Sequence, residues 1–365
     1  MKITLPVLFA LMPLIAVAQE KLLYVGTYTE KGSEGIYVYR FNTQTGALTQ
    51  ASMTTGIKNP SFLALSPNKK NLYAVAENDP GAVHSYRVNS TTGKLTQINI
   101  RPASGIWPCH LAVDKTGKYC IVGNYGSGNV SVLPIKLDGS LGEPGQAIQH
   151  EGKSANAERQ EKPHVHSINI SANNKHVVVA DLGTDKLMHY TFDASKGQLS
   201  PADTAYTSVT PGAGPRHFAY HPNGRFAYAV LELNCTIGAF TYKKGALSPI
   251  QTISTLPSDF TGKNTCADIH ISADGKFLYA SNRGHHSIVI YKIDKKSGKL
   301  TLVGHQSVLG STPRNFTIDP TGNFLLVANQ DSNNIQVFRR DKKTGKLTHV
   351  AEGAKVSMPV CLLFE

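Results

Sequence analysis

The chain lacks most of the features that announce a chemistry outright. It contains no Gly-x-Ser-x-Gly elbow, which sets aside hydrolases that carry a serine nucleophile on a strand-to-helix turn. Acidic residues are in deficit, 25 against 37 Lys and Arg, for a net charge of +12. Much of the surplus sits in scattered turns: Thr92-Gly93-Lys94-Leu95, Lys196-Gly197-Gln198-Leu199, 295–300 and 342–347. With no aromatics interleaved, these read as a solvated rim and not as a nucleic-acid surface. Cysteine is limited to five residues, an odd number that leaves at least one unpaired or paired between chains. Cys109 and Cys120 fall too far out of register to bridge, whereas Cys235 and Cys266 could pair or remain buried thiols, and the sequence leaves both open. Beyond the N-terminus no apolar run approaches the ~20 residues needed to cross a bilayer.

The N-terminus itself is apolar but short. Residues 1–18 start Met1-Lys2, run through Leu5 to Val17 and exit on Ala16-Val17-Ala18, the layout of a secretory signal peptide. Pro6 and Pro13 argue against a membrane anchor, and the absence of cysteine in this stretch argues against a lipoprotein. The expectation is an exported, periplasmic chain whose residues 19–365 form a single domain without a membrane span. Loss of Lys2 with the leader leaves 36 basic against 25 acidic residues, or +11.

What the chain does have is a repeat. Ser66-Pro67-Asn68-Lys69, Asp114-Lys115-Thr116-Gly117, Ala172-Asn173-Asn174, His221-Pro222-Asn223-Gly224, Ala273-Asp274-Gly275 and Asp319-Pro320-Thr321-Gly322 are hairpin turns spaced ~50 residues apart, each followed by an apolar run. Every unit adds an alternating third strand (Gly35–Phe41, Ala82–Val88, Val130–Ile135, Lys186–Phe192, Thr236–Tyr242, Ser287–Ile293 and Asn334–Arg339) and a fourth strand after the basic turn. Units of four strands that cannot bury both faces alone stack radially. Seven third strands predict an all-β, seven-bladed β-propeller. The first unit lacks its first strand and the chain ends on an orphan, Pro359–Leu363, so the C-terminal strand should complete the N-terminal blade and close the ring. The longest connection, 138–163, is long enough to be a flap over one end of the channel.

The hairpin register identifies a candidate site. Eight residues before the last turn position stand Ser61, Cys109, His166, Arg216, Ala267 and Arg314; eight after it stand Glu77, Tyr125, Leu182, Glu232, Arg283 and Gln330, with Tyr28 in the first unit. In a plain hairpin Arg216 and Glu232 face each other, and first strands line the axis, so these side chains should ring one mouth of the channel. Converging charges are costly unless they pair or bind something. His164 and His166, two apart on one strand face, raise a metal site, but arginines oppose the carboxylates and no third and fourth ligands stand out; no metal or other cofactor is expected. His110, His217 and His270 lie off the register, with His110 and His217 expected to satisfy backbone groups between blades.

Gly212-Ala213-Gly214-Pro215-Arg216-His217, His221-Pro222-Asn223, Glu232-Leu233-Asn234, His166-Ser167-Ile168-Asn169-Ile170-Ser171, Ala267-Asp268-Ile269-His270 and Ser281-Asn282-Arg283 resemble the lactonase family of seven-bladed propellers. That family includes the propeller-type 6-phosphogluconolactonases and the fungal carboxymuconate-lactonizing enzyme. The resemblance implies metal-independent chemistry at one channel mouth, with His166, Arg216, Glu232 and Arg283 as catalytic residues and Glu77, Tyr125, Arg314, His164 and Tyr28 around the substrate. Glu232 or His166 would activate water, and Arg216 and Arg283 would stabilise developing charge. The expected ligand is a small, anionic sugar lactone. An exported chain departs from the family's cytoplasmic phosphosugar chemistry, so the phosphate is left open. A muconate-type lactonizing isomerase and a non-catalytic exported binding propeller are the alternatives, and oligomeric state is open.

Overall fold

A computed structural model describes residues 20–365, all of them strand, turn or irregular chain with no helix. The expected leader at 1–18 lies outside the described residues. Seven four-stranded antiparallel sheets form a ring of blades, and Pro359–Phe364 pairs with Glu20–Thr27 in the first blade, closing the ring as the orphan strand required. The inner strands are Leu63–Leu65, Pro108–Val113, Val165–Ile170, Pro215–Tyr220, Cys266–Ile271 and Pro313–Ile318, with Pro359–Phe364 as the seventh.

The local causes are those of the turn chemistry. Each inner hairpin ends on a residue at positive φ: Lys69, Gly117, Asn174, Gly224, Gly275 and Gly322. A side chain at the head of each turn substitutes for backbone. Asp114 accepts from the Thr116, Lys118 and Tyr119 amides, and the Ser66, Ser171 and Ser272 hydroxyls accept the amides five residues on.

Seven apolar clusters make up the core, one between each pair of neighbouring blades. Phe226, Val230 and Tyr291 hold the fifth blade to the sixth; Val25 and Phe41 meet Phe324 and Val337 where the last blade meets the first. No blade buries both faces alone, so stability belongs to the closed ring.

The basic outer turns do more than carry charge. The Gly298 carbonyl accepts the buried Tyr228 hydroxyl of the preceding blade at 2.8 Å, and Gly345 accepts Tyr279 at 2.9 Å. A Cβ on Gly298, at φ 72, would stand 2.5 Å from the Phe226 ring. The connection at 138–163 also differs from expectation: it contains the fourth strand of the third blade, Gln146–Gln149, which pairs with Asn129–Val132. The irregular stretch is therefore the part from His150 to His164.

Gly298→Ala should lower stability by about 1–3 kcal/mol, from strained backbone and a displaced ring, and Tyr228→Phe by about 1 kcal/mol. Thermal denaturation that leaves Gly298→Ala at the wild-type midpoint would contradict the inter-blade role of these turns.

Candidate active site

The inner strands do not follow the plain ladder. In the fifth blade Pro215 pairs with Leu231 and His217 with Val230, so Arg216 is the extra residue of a β-bulge. The same irregularity falls at His166, between Val165 and Ser167; at Cys109, between Pro108 and His110; and at Arg314, between Pro313 and Asn315. A bulge re-aims one side chain out of the sheet. These four side chains are the ones expected from the register, brought inward by a bulge and not by cross-strand pairing.

Glu232 is the centre of the arrangement. Its carboxylate meets Arg216 Nε at 2.9 Å, Arg283 Nη2 at 3.0 Å and Arg159 Nη2 at 2.7 Å. Arg216 also donates from Nη1 to the Ala267 carbonyl at 2.6 Å, and Arg283 from Nη2 to the Cys266 carbonyl at 3.0 Å. The Arg216 Nε contact is an ion pair without good hydrogen-bond alignment. Arg216 and Glu232 are each 2% exposed. Burial alone would raise the Glu232 carboxyl, but Arg283, Arg216 and Arg159 outweigh it and hold the group at about 2. Burial together with the Arg314 and Arg283 charges lowers Arg216 to about 10, against the pull of Glu232; it stays cationic at neutral pH.

Arg159 is the residue that sequence reasoning missed. It comes from the irregular stretch before His164, where Asn156 holds the turn by accepting the Arg159 amide. Its guanidinium also reaches the Tyr125 hydroxyl at 3.4 Å. No repeat register applies to that segment; only its length drew attention to it.

A second cluster surrounds Glu77. Ser61 and Tyr28 both donate hydroxyls to Glu77 Oε2, Tyr28 at 2.9 Å. Arg314 donates to the Tyr28 oxygen at 2.8 Å and lies over its ring. Arg314 therefore reaches Glu77 through Tyr28, not by a direct ion pair. Burial raises the Glu77 carboxyl despite the opposing Arg314 charge and the two hydroxyls.

Between the two clusters is a cavity of about 150 Å³ lined by Glu77, Cys109, Tyr125, Arg159, His166, Glu232, Arg283 and Arg314. Tyr28, Ser61 and Arg216 line a narrow extension of about 10 Å³ that shares Glu77, His166 and Arg314 with it. Arg216 thus lines the extension and not the main cavity. His166 is buried, with the Cys109 sulfur 3.8 Å from Nδ1 and Tyr125 edge-on at 5.5 Å. Burial, then the Arg216, His217 and Arg314 neighbours, lower its imidazole well below the usual histidine value, so it is neutral at pH 7. His164 does not line the cavity: it stacks on Tyr125 at 4.4 Å, hydrogen-bonds the Tyr125 carbonyl through Nδ1 at 2.9 Å, and so braces that ring.

Larger hollows exist. One of about 770 Å³ lies toward the turn ends of the inner strands, with mainly apolar walls; another, of about 1040 Å³, lies among the outer turns. The second also carries charged groups from three blades, Arg225, Asp274, Lys276, Lys292, Asp294, Lys295 and Lys343, but these are exposed, whereas the smaller cavity gathers Arg283, Arg314 and Arg159 around the buried Glu232 and His166. Among the described residues no group of three or more His, Cys, Asp or Glu side chains is placed to hold a metal ion. All five cysteines are buried and free, Cys235 and Cys266 included. His110 meets expectation by accepting the Ile168 amide of the next blade at 3.2 Å. His217 departs from it: its partners are side chains, Asp268 and Arg216.

The family model for the seven-bladed β-propeller lactonases matches residues 22–364. A 6-phosphogluconolactonase of Bacillus subtilis is 40% identical over 301 residues, covering 82% of this chain and 85% of the relative. A crystal structure of a putative 6-phosphogluconolactonase from Bacteroides fragilis superposes with a TM-score of 0.91 at 38% identity, covering 97% of this chain and all of the other. The structure of a periplasmic gluconolactonase from Pseudomonas aeruginosa gives 0.90 at 36% identity, covering 95% and 99%.

Glu232→Gln should cost about 3–5 kcal/mol of stability, because it leaves buried guanidinium groups without a counter-charge. A carboxyl held at about 2, against 4.5 unperturbed, contributes stability that is complete above the unfolded value and lost as pH falls toward 2; the variant should lack that part of the acid dependence. Matching denaturant midpoints for the two proteins at pH 7 would contradict the clamp.

Proposed function

The chain belongs to the lactonase family of seven-bladed β-propellers, and from that premise we propose that it hydrolyses an anionic sugar lactone in the arginine-lined cavity, at one mouth of the ring. The observation that carries the proposal is a neutral imidazole facing a cavity that, with its narrow extension, is lined by four guanidinium groups against two carboxylates.

Attack of water on a lactone carbonyl needs a base, a cationic pocket for the oxyanion and a proton for the leaving ring oxygen. Glu232, held at about 2 by three arginines, is too weak a base for this task. His166 is the better one. It takes a proton as the water oxygen bonds to the carbonyl carbon; the ring C–O bond then breaks, and the imidazolium returns the proton to the departing alkoxide. The products are a hydroxyl and a carboxylic acid, which ionises to solvent. Burial is the main cause of the depressed His166 imidazole and the Arg216 and Arg314 charges add to it; an anionic substrate offsets the second contribution and so raises its basicity.

Arg283 and Arg314 line the cavity and supply positive charge for the oxyanion. Arg159, the most exposed guanidinium of the Glu232 cluster, meets the anionic end of the substrate. Arg216, buried and lining only the narrow extension, acts by holding Glu232, so its contribution is to field and position. The excess of two positive charges suits a phosphorylated or carboxylated lactone, and the Bacillus subtilis relative carries the name of a 6-phosphogluconolactonase. On this reading residues 1–18 direct export, in keeping with the periplasmic Pseudomonas relative.

A lactone panel on the chain from Gln19 tests the proposal. Acid release should exceed the spontaneous rate, with kcat/KM higher for 6-phosphoglucono-lactone than for glucono-lactone; no turnover of either would reject it. Arg159→Ala should raise KM for the phosphorylated substrate about tenfold, the loss of one charged hydrogen bond, with kcat within a few-fold. Arg216→Ala and Glu232→Ala should each lower kcat about 10²-fold or more. Because protonated His166 cannot accept a proton and its value lies well below 6.5, kcat/KM should stay level as pH falls through 6.5 and decline only at lower pH. An acid limb centred at or above 6.5 would contradict the depressed His166 imidazole in the free enzyme.

A further inference from the structure

One layer below the bulged ring, a second set of polar side chains crosses the blades without being used in the chemistry above. Asp268, 3% exposed, is at its centre. Its Oδ1 accepts His217 Nδ1 at 2.7 Å and the Ile269 amide at 2.9 Å; its Oδ2 accepts His270 Nε2 at 2.9 Å, Asn315 Nδ2 at 2.6 Å and the Phe316 amide at 3.3 Å. Only a carboxylate can accept five such bonds on two oxygens.

The far side of His217 faces the clamp, with Nε2 3.4 Å from Arg216 Nη1. A guanidinium has donors and no acceptor, so this contact is attractive only when Nε2 carries no proton. Asp268 enforces that state by taking the Nδ1 hydrogen. Burial and the Arg216 charge lower the His217 imidazole to about 4, against the raising effect of Asp268, so it is neutral at pH 7. The other groups around it leave this tautomer undisturbed: His110, His166 and Phe62 are T-shaped to it with ring centroids 5.6, 5.4 and 6.1 Å away, and His270 lies across Asp268.

We propose that Asp268, acting through the Nδ1–H tautomer of His217, is the positioning residue that orients Arg216 toward Glu232. Neither residue lines the main cavity, and His217 reaches only the wall of its narrow extension; their effect is on where the Glu232 clamp and its charge sit relative to His166. Asparagine at 268 cannot reproduce the arrangement. One of its two heads is an NH2, which must point either at His217 and the Ile269 amide or at His270, Asn315 and the Phe316 amide, all of them donors. The first choice turns His217 to its other tautomer and sets an N–H against Arg216.

Only the kinetic arm of the test depends on the lactone reading. Histidine ring ¹⁵N correlation spectra of the wild-type protein at pH 7 should show His217 neutral with its proton on Nδ1; a proton on Nε2, or a cationic ring, would overturn the proposal whatever the substrate proves to be. In kinetics, Asp268→Asn and His217→Leu should each lower kcat/KM tenfold or more, and His217→Gln, whose amide offers one donor and one acceptor, should recover most of what His217→Leu loses. Wild-type kinetics in His217→Leu, or equal losses in the Leu and Gln variants, would also overturn it. Should Asp268→Asn fail to fold, the His217 pair and the wild-type spectrum still decide. A wild-type protein inactive on every lactone would reject the proposed function and leave the spectrum to decide this inference alone.

Discussion

A buried carboxylate held by three guanidinium groups is the constraint around which the rest is arranged. Glu232 and Arg216 are almost entirely removed from water, where isolated charges are costly, so each must have its partner in place in every folded molecule. The partners come from different parts of the ring: Arg283 from the next blade, Arg159 from the segment that joins the third blade to the fourth. The clamp is therefore formed only once the blades have closed.

That dependence connects stability with chemistry. The seven apolar clusters between blades hold the inner strands at a fixed spacing, and the bulges on those strands project His166, Arg216 and Arg314 inward. Burial, reinforced by the Arg216 and Arg314 charges, keeps His166 unprotonated. Two ionisable groups, the carboxyl at about 2 and the depressed imidazole, are set apart by their surroundings: one is a counter-charge, the other the proposed base.

Much of this was legible in the sequence because a repeat converts position into geometry. Of the twelve positions found by counting eight residues either way from each hairpin turn, nine line the cavity or its narrow extension, as does Tyr28 of the first unit, while Leu182, Ala267 and Gln330 line neither. Arg216 and Glu232 do meet, at 2.9 Å, although Arg216 is a bulge residue and not the cross-strand partner of Glu232. What escaped were features with no register. Arg159 sits on irregular chain, and Gln146–Gln149 is a strand of only four residues following a glycine- and proline-rich lead. His164 was grouped with His166 by alternation, but at the bulge the strand turns it onto Tyr125. Asp268 sat within a motif whose place in the fold was clear, while its bond to His217 depends on a neighbouring blade.

The account is tested most directly by locating the reaction product. A crystal structure of the protein with 6-phosphogluconate bound should place the ligand between Arg159, Arg283 and Arg314, with the new carboxylate beside the His166 imidazole. Ordered product held elsewhere, for example among the outer basic turns, with the Glu232 cavity left to water, would contradict it.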